Sequence, residues 1–445
     1  MTNFFTPENE IYARYAAQAL FLLSTLILII NEVRKHKFSK QDFLKNNTLP
    51  TASFLFLITA TIFNIYISIS GTVLFTTTAV IYFLLNRKFY PPPKIFYFIF
   101  LYTILPILGT IGTPKGFRFP DSTITFLVLP LSLCLIDIKQ ETLLKVAKIF
   151  TRVMIIYMVT CILYWLYNFQ YLDIPLSEWL TQKSSSTIIP KGFENGDARL
   201  FVSYWSGNFH QTYISFVLFM GFISSAYLFY KQKIKNWEVL LYGILCVITV
   251  LLIESRIGMV VFPVLSIASL ILYSMLRKKY FIPSLLSALI ITSTIMLFMY
   301  DIGKNESIMK DTHRPTYYAI AIDYIQEHPY WGCGYHEQLA TLDTIIARDS
   351  IPVKKHLNYV HNQFLGDTMQ YGISGLIMLF ILLCGILFYA IKWQSYPLLM
   401  LLLVLSFYMM IEEPLYAQGG ITRVTAFLVF FVALTAKTNK NETKH

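Results

Sequence analysis

Charge is scarce in this chain. Asp, Glu, Lys and Arg make up 14% of its 445 residues, against about a quarter in ordinary soluble domains. Hydrophobic residues make up 56% and the mean hydropathy is +0.55. A soluble globular protein is excluded on that balance, and an integral membrane protein is expected. Cysteine is also sparse. Cys134, Cys161, Cys246, Cys333 and Cys384 have no paired spacing, so neither a disulfide framework nor a cysteine zinc site is implied. The histidines form no H-x-x-x-H pair and no acidic quartet accompanies them, so no metal site and no cofactor are expected. The first residues carry an acidic Glu-Asn-Glu and no basic leader or clear cleavage site, from which no removable signal peptide is expected. Low-complexity tracts and short-period repeats are missing as well.

What is present is a series of apolar runs with small basic clusters between them. A span needs about twenty apolar residues. By that test candidate spans fall near 13–31, 50–69, 71–86, 95–113, 122–136, 146–167, 212–230, 238–253, 257–276, 281–300, 371–391, 397–411 and 423–436. The expected fold is an all-α polytopic membrane protein with 12 to 13 transmembrane helices, residues 1–445 forming one bundle. The net charge of +11 sits in clusters such as Arg34-Lys35, Arg87-Lys88, Lys145-Lys148-Arg152 and Arg277-Lys278-Lys279. These fall on one side of the membrane if every span is counted, which reads as topology control and not as nucleic-acid binding. That side is the cytoplasm, so the long loops 168–211 and 301–370 are expected in the periplasm.

Functional residues are expected on those long loops. Within 301–370, apolar positions Tyr317, Ile320, Ala321, Tyr324 and Ile325 recur at three and four residues after Arg314-Pro315, which predicts a one-sided helix lying along the membrane. His328-Pro329 ends it, and Trp331-Gly332-Cys333-Gly334 makes a tight turn. Tyr359-Val360-His361-Asn362 then precedes Tyr371-Gly372-Ile373-Ser374-Gly375-Leu376, where a new apolar run starts. Upstream, Arg256 in Glu254-Ser255-Arg256-Ile257-Gly258 sits between two apolar runs with almost no loop. Taken alone it reads as an interface arginine paired with Glu254.

The order of these motifs resembles the O-antigen ligase and polymerase superfamily: a Ser-Arg element, an Arg ahead of a short amphipathic helix, a Pro-x-x-Gly-x-Gly turn, and a His-Asn pair about ten residues before Gly-Ile-x-Gly-Leu. The resemblance covers the C-terminal half in motif and the whole chain in hydropathy. It implies a bacterial inner-membrane glycosyltransferase, inverting and metal-independent, that takes glycan from undecaprenyl diphosphate in the periplasm. The acceptor would be a sugar hydroxyl of the lipid A core. Polymerisation of lipid-linked repeat units is the alternative.

The resemblance also assigns roles. His361 matches the family's base, and its imidazole, with an ordinary pKa near 6.5, can take a proton from a sugar hydroxyl at neutral pH. Arg314 matches an essential arginine and Arg256 the Ser-Arg position. Guanidinium groups bind phosphate oxygens in pairs and stay charged, which suits a diphosphate leaving group. Asn362 would orient the ring or close a helix start. Arg199, His210 and Arg423 lie on the outward side and could contact glycan or diphosphate. Asp311, Glu327, Asp343 and Glu412 with Glu413 could bind sugar hydroxyls or balance the arginines, and Glu412 and Glu413 end a span, as solvated boundary charges commonly do. Tyr204, Trp205, Tyr330, Trp331, Tyr335 and Tyr359 serve the membrane interface or helix packing, as aromatics ordinarily do, or stack on sugar faces. A transporter or flippase, the rival class, predicts inverted repeats with broken helices at mid-membrane, and none is visible.

Overall fold

The computed structural model describes residues 7–34, 48–109, 123–171, 204–207, 210–253, 255–277, 314–335, 337–351, 359–416 and 418–442. All regular structure among them is helical. In chain order the helices are α1 (Pro7–Arg34), α2 (Thr48–Ala60), α3 (Ile65–Asn86), α4 (Phe96–Gly109), α5 (Thr125–Cys134), α6 (Gln140–Tyr171), α7 (Gln211–Tyr230), α8 (Asn236–Leu252), α9 (Arg256–Arg277), α10 (Arg314–Glu327), α11 (Gln338–Arg348), α12 (Gln363–Tyr371), α13 (Ile373–Lys392), α14 (Tyr396–Ile411) and α15 (Gln418–Glu442). Seven stretches, in α1, α3, α6, α7, α9, α13 and α15, are long and apolar enough to cross a membrane, while α2, α4, α5, α8 and α14 are apolar but shorter. The expected span at 281–300 lies outside the described residues.

One expected boundary moves. The break between the second and third apolar runs falls at Thr61–Asn64, not near residue 70. Asn64 explains it: its Oδ1 accepts from Ile67 N at 3.1 Å, capping α3, and Ser68 Oγ donates back to Ala60 O at 3.0 Å. Ile62 and Phe63 kept the run apolar and hid the turn.

The chain divides into two compact units. The first comprises 1–71 and 141–306. Its core closes around Trp205, which is buried, with Phe21 and Tyr157 ring centroids each 5.3 Å away and Gln18 Nε2 donating to its carbonyl at 2.9 Å. Trp205 is thus a packing residue and is not open to a sugar. Arg152 of α6 bonds Glu32 of α1 at 2.8 Å and Glu238 of α8 at 2.9 Å, so the charges in these helices neutralise one another.

The second unit comprises 72–140 and 307–445, and holds α4, α5 and α10 to α15. As expected, α10 starts at Arg314, with Pro315 in the first turn where no amide donor is needed, and ends before His328-Pro329. The tight turn that follows is pinned to the α12–α13 junction by Cys333 N to Met369 O at 2.9 Å, Gly334 N to Gln370 O at 2.8 Å and Ile373 N to Pro329 O at 2.8 Å. Gly332 and Gly372 have φ of 57° and 65°, where a Cβ is strained. A Cβ on Gly332 would also lie 2.5 Å from the Gln370 carbonyl, and one on Gly372 would strike the Tyr330 carbonyl. Gly372→Ala is therefore expected to destabilise the second unit by about 2–4 kcal/mol, read as a lowered Tm in detergent; an unchanged Tm would contradict this packing.

Candidate active site

Three helix ends of the second unit meet at His361. The Asn362 side chain opens α12 by accepting from Leu365 N at 3.1 Å and donates to Met410 O at 3.1 Å, tying that start to the end of α14. His361, immediately before the cap, has φ of 60°. A side chain in the left-handed region persists only when its surroundings hold it there. Here the His361 amide donates to Glu413 Oε1 at 3.0 Å and its carbonyl accepts from Tyr318 Oη of α10 at 3.0 Å. The backbone is thus held from both sides.

The imidazole is held too. Its Nδ1 lies 2.9 Å from Glu412 Oε2, and the other carboxylate oxygen of Glu412 lies 3.4 Å from Arg314 Nη2. Glu412 therefore bridges the arginine and the histidine. Its side chain is 6% exposed, that of His361 14% and that of Arg314 31%. An ionised Glu412 can only accept, so a neutral His361 ring held this way has its proton on Nδ1 and its lone pair on Nε2. Tyr359 stands beside the ring, with centroids 5.0 Å apart.

Glu412 and Glu413 are both buried, so they are not solvated boundary charges; Glu412 balances an arginine, the other role expected of it. The separation of their tasks is a backbone effect. Glu412 ends α14 in an extended conformation, φ −147° and ψ 168°, and successive side chains of extended backbone point opposite ways. Glu412 thus reaches the imidazole and Arg314, and Glu413 reaches the His361 amide and Gln338 Nε2 of α11 at 3.2 Å.

Near Glu413 lies a third buried carboxyl. Asp367 of α12 accepts from Gln363 Nε2 and from Tyr102 Oη of α4, each at 2.7 Å. Burial, only partly offset by these two hydrogen bonds, pushes Asp367 from 3.8 up to about 7. Burial, with Asp367 and Glu412 nearby, pushes Glu413 from 4.5 up to about 8. The sign of the linkage follows. The unfolded chain ionises these groups first, so their contribution to stability is greatest at acid pH and is lost as pH rises from about 4 to about 8. The Tm is expected to fall across that window in the wild type. In Asp367→Asn/Glu413→Gln, which keeps both groups neutral, it should fall less; equal slopes in a buffer series would contradict the assignment.

The remaining sequence candidates are placed as follows. Arg256 belongs to the first unit, where it is the first residue of α9. The neighbouring Ser255 accounts for half of the Ser-Arg element: its Oγ accepts from Gly258 N at 3.1 Å, capping α9, and bonds Ser215 Oγ of α7 at 3.0 Å. His210, also in the first unit, is exposed at the start of α7 with its ring 4.5 Å from Tyr213. Arg423 is buried in α15, where Nη1 donates to Gly419 O at 2.8 Å. Arg199, Glu254, His313 and most of 168–211 lie outside the described residues. Among the described residues no group of three or more His, Cys, Asp or Glu side chains is placed to hold a metal ion.

Sequence reading named His361, Arg314 and Asn362 but missed how Glu412, Glu413, Tyr318 and Gln338 hold them. The available signal was two adjacent carboxylates between an apolar run and Pro414, since burying either requires a partner. Residues 241–380 match a family model described as O-antigen ligase, a segment that contains Arg256, Arg314, His361 and Asn362 and stops short of Glu412. No curated protein matches the chain. The match over residues 241–380 supports the resemblance to the O-antigen ligase superfamily that the order of the motifs carries.

Proposed function

We propose that the chain is a bacterial inner-membrane glycosyltransferase of the ligase type. It moves a glycan from undecaprenyl diphosphate to a sugar hydroxyl of the lipid A core, on the periplasmic side and with inversion. The observation that carries this reading is the Glu412 carboxylate placed between the His361 ring and the Arg314 guanidinium. Nε2 of His361 takes the acceptor hydroxyl proton as that oxygen bonds to the anomeric carbon. The bond from the anomeric carbon to the diphosphate oxygen breaks, and the lipid diphosphate leaves with the electron pair. Glu412 holds the ring and stabilises the imidazolium that forms. Arg314, about a third exposed, is assigned to the leaving diphosphate. Arg256 is proposed for diphosphate binding on its match to the family's Ser-Arg position, and it stands at the positive end of the α9 dipole. Asn362 sets the ring's position through the cap of α12. Arg199 and His210 remain proposed contacts to glycan or diphosphate, whereas Arg423, buried in α15 and bonded to Gly419 O, is not the outward-facing contact expected of it.

The wider reading keeps 12 to 13 crossings, with 168–211 and 301–370 on the periplasmic face, supported by the basic clusters between the apolar runs. The glycan profile of a deletion strain tests the reaction. Loss of all polymer and all single repeat units from the lipid A core supports ligation. Retention of single units on the core supports the polymerase alternative, and an unchanged profile overturns both.

A further inference from the structure

A cavity of about 630 Å³ lies between α10 and α11, within the range of about 300–1,000 Å³ typical of ligand pockets. It follows from the two helices' side chains. Tyr317, Ile320, Ala321, Leu342 and Ile346 close one seam between them as an apolar core. The adjoining stripes carry polar groups instead: Asp323, Glu327 and His328 on α10 and its end, and Thr341 and Thr344 on α11. Such stripes do not close on each other, and the space between them stays open.

The chemistry of the lining selects an occupant. Four carboxylates, Asp323, Glu327, Glu337 and Asp349, stand against one guanidinium, Arg348, which is itself paired with Asp349 at 2.7 Å. A diphosphate would be repelled. Tyr324 and His328 stack with centroids 4.4 Å apart and planes 17° apart, and His328 Nδ1 lies 3.3 Å from the Tyr324 carbonyl. Each ring covers one face of the other, which leaves an outer aromatic face beside hydrogen-bond acceptors and hydroxyls. A pyranose has an apolar C–H face for such a platform and a rim of hydroxyls for carboxylates.

We propose that this cavity is a sugar-binding subsite that takes uncharged residues of the glycan away from the transferred bond. It rests on the reading that the chain handles a glycan. It adds that α10 and α11 grip the saccharide, with the outer face of the Tyr324–His328 stack against the ring and Asp323 and Glu327 on its hydroxyls. The helix that starts at Arg314 would then serve the diphosphate at one end and the sugars at the other.

The test uses the full chain in nanodiscs, with saturation-transfer NMR of two delipidated oligosaccharides: one released by mild acid from the lipid-linked donor, the other the lipid A core oligosaccharide. The expected result is saturation of one of them in the wild type and in His361→Ala, with affinity lowered about tenfold in Tyr324→Leu and in Glu327→Gln. Which probe responds assigns the subsite to donor or acceptor. In turnover, both variants should raise KM about tenfold with kcat within about twofold. Thr341→Val, on the opposite wall, guards against a folding defect in α10. Equal affinity for both probes in all three folded variants would leave only a water-filled crevice and overturn the proposal. Binding in His361→Ala is read without turnover, so a failure of the catalytic reading, seen as full activity in that variant, is a separate outcome.

Discussion

His361→Ala is expected to lower the transfer rate by about 10²–10⁴-fold, the usual contribution of a positioned general base, while lipid-linked donor still binds. The expectation rests on how much of the surrounding structure is committed to one ring. The His361 amide, carbonyl and Nδ1 are each engaged, by Glu413, Tyr318 and Glu412. The residue is held at a φ of 60° that costs about 1–3 kcal/mol if nothing compensates. Removing the side chain leaves those backbone bonds in place, so the variant should fold. Donor binding, measured with labelled lipid, separates loss of the base from loss of the site. If transfer persisted at the wild-type rate, the proton would have to leave by another route.

The second large effect is at Glu412. Glu412→Gln keeps the size of the side chain but replaces one acceptor oxygen with a donor nitrogen. A glutamine whose amide nitrogen faces Nδ1 favours the tautomer with its lone pair on Nδ1, and Nε2 then carries a proton and cannot act as base. Turnover should drop by about 10²–10⁴-fold. Glu412→Asp, which retains the charge on a shorter side chain, should recover part of it. The same substitution removes the ion pair to Arg314, so KM for the donor should change less than kcat if the arginine keeps its place. A variant in which only KM rose would make Glu412 a binding residue with no part in proton transfer.

Much of this arrangement was legible in the residues. The length and apolar content of the runs fix a helical membrane protein, and Pro315, His328-Pro329 and the Gly332 and Gly334 turn mark α10 and its exit where they are found. Asn362 reads as a cap and is one. The partners of His361 were not legible, for a physical reason. Glu412 and Glu413 follow an apolar helix directly, and a charge in that position is ordinarily solvated. Whether it is buried depends on Arg314, Gln338 and His361 at the α12 start, which lie 51 to 98 residues away in the chain. The split of two neighbouring carboxylates between ring and backbone depends on the extended dihedrals at Glu412. Apolar periodicity does not encode those dihedrals. For Trp205 packing, interface and sugar stacking were equally open in the residues, and only Phe21 and Tyr157 closing over it select packing.

The measurement that tests the central claim most directly is a double-mutant cycle on transfer rate with His361→Ala and Glu412→Gln. Two residues acting as one proton-transfer unit are not additive: Glu412→Gln should cost about 10²-fold or more alone and almost nothing once His361 is gone. Independent, multiplying losses in the double variant would contradict it, because the carboxylate would then be acting through something other than the ring it touches.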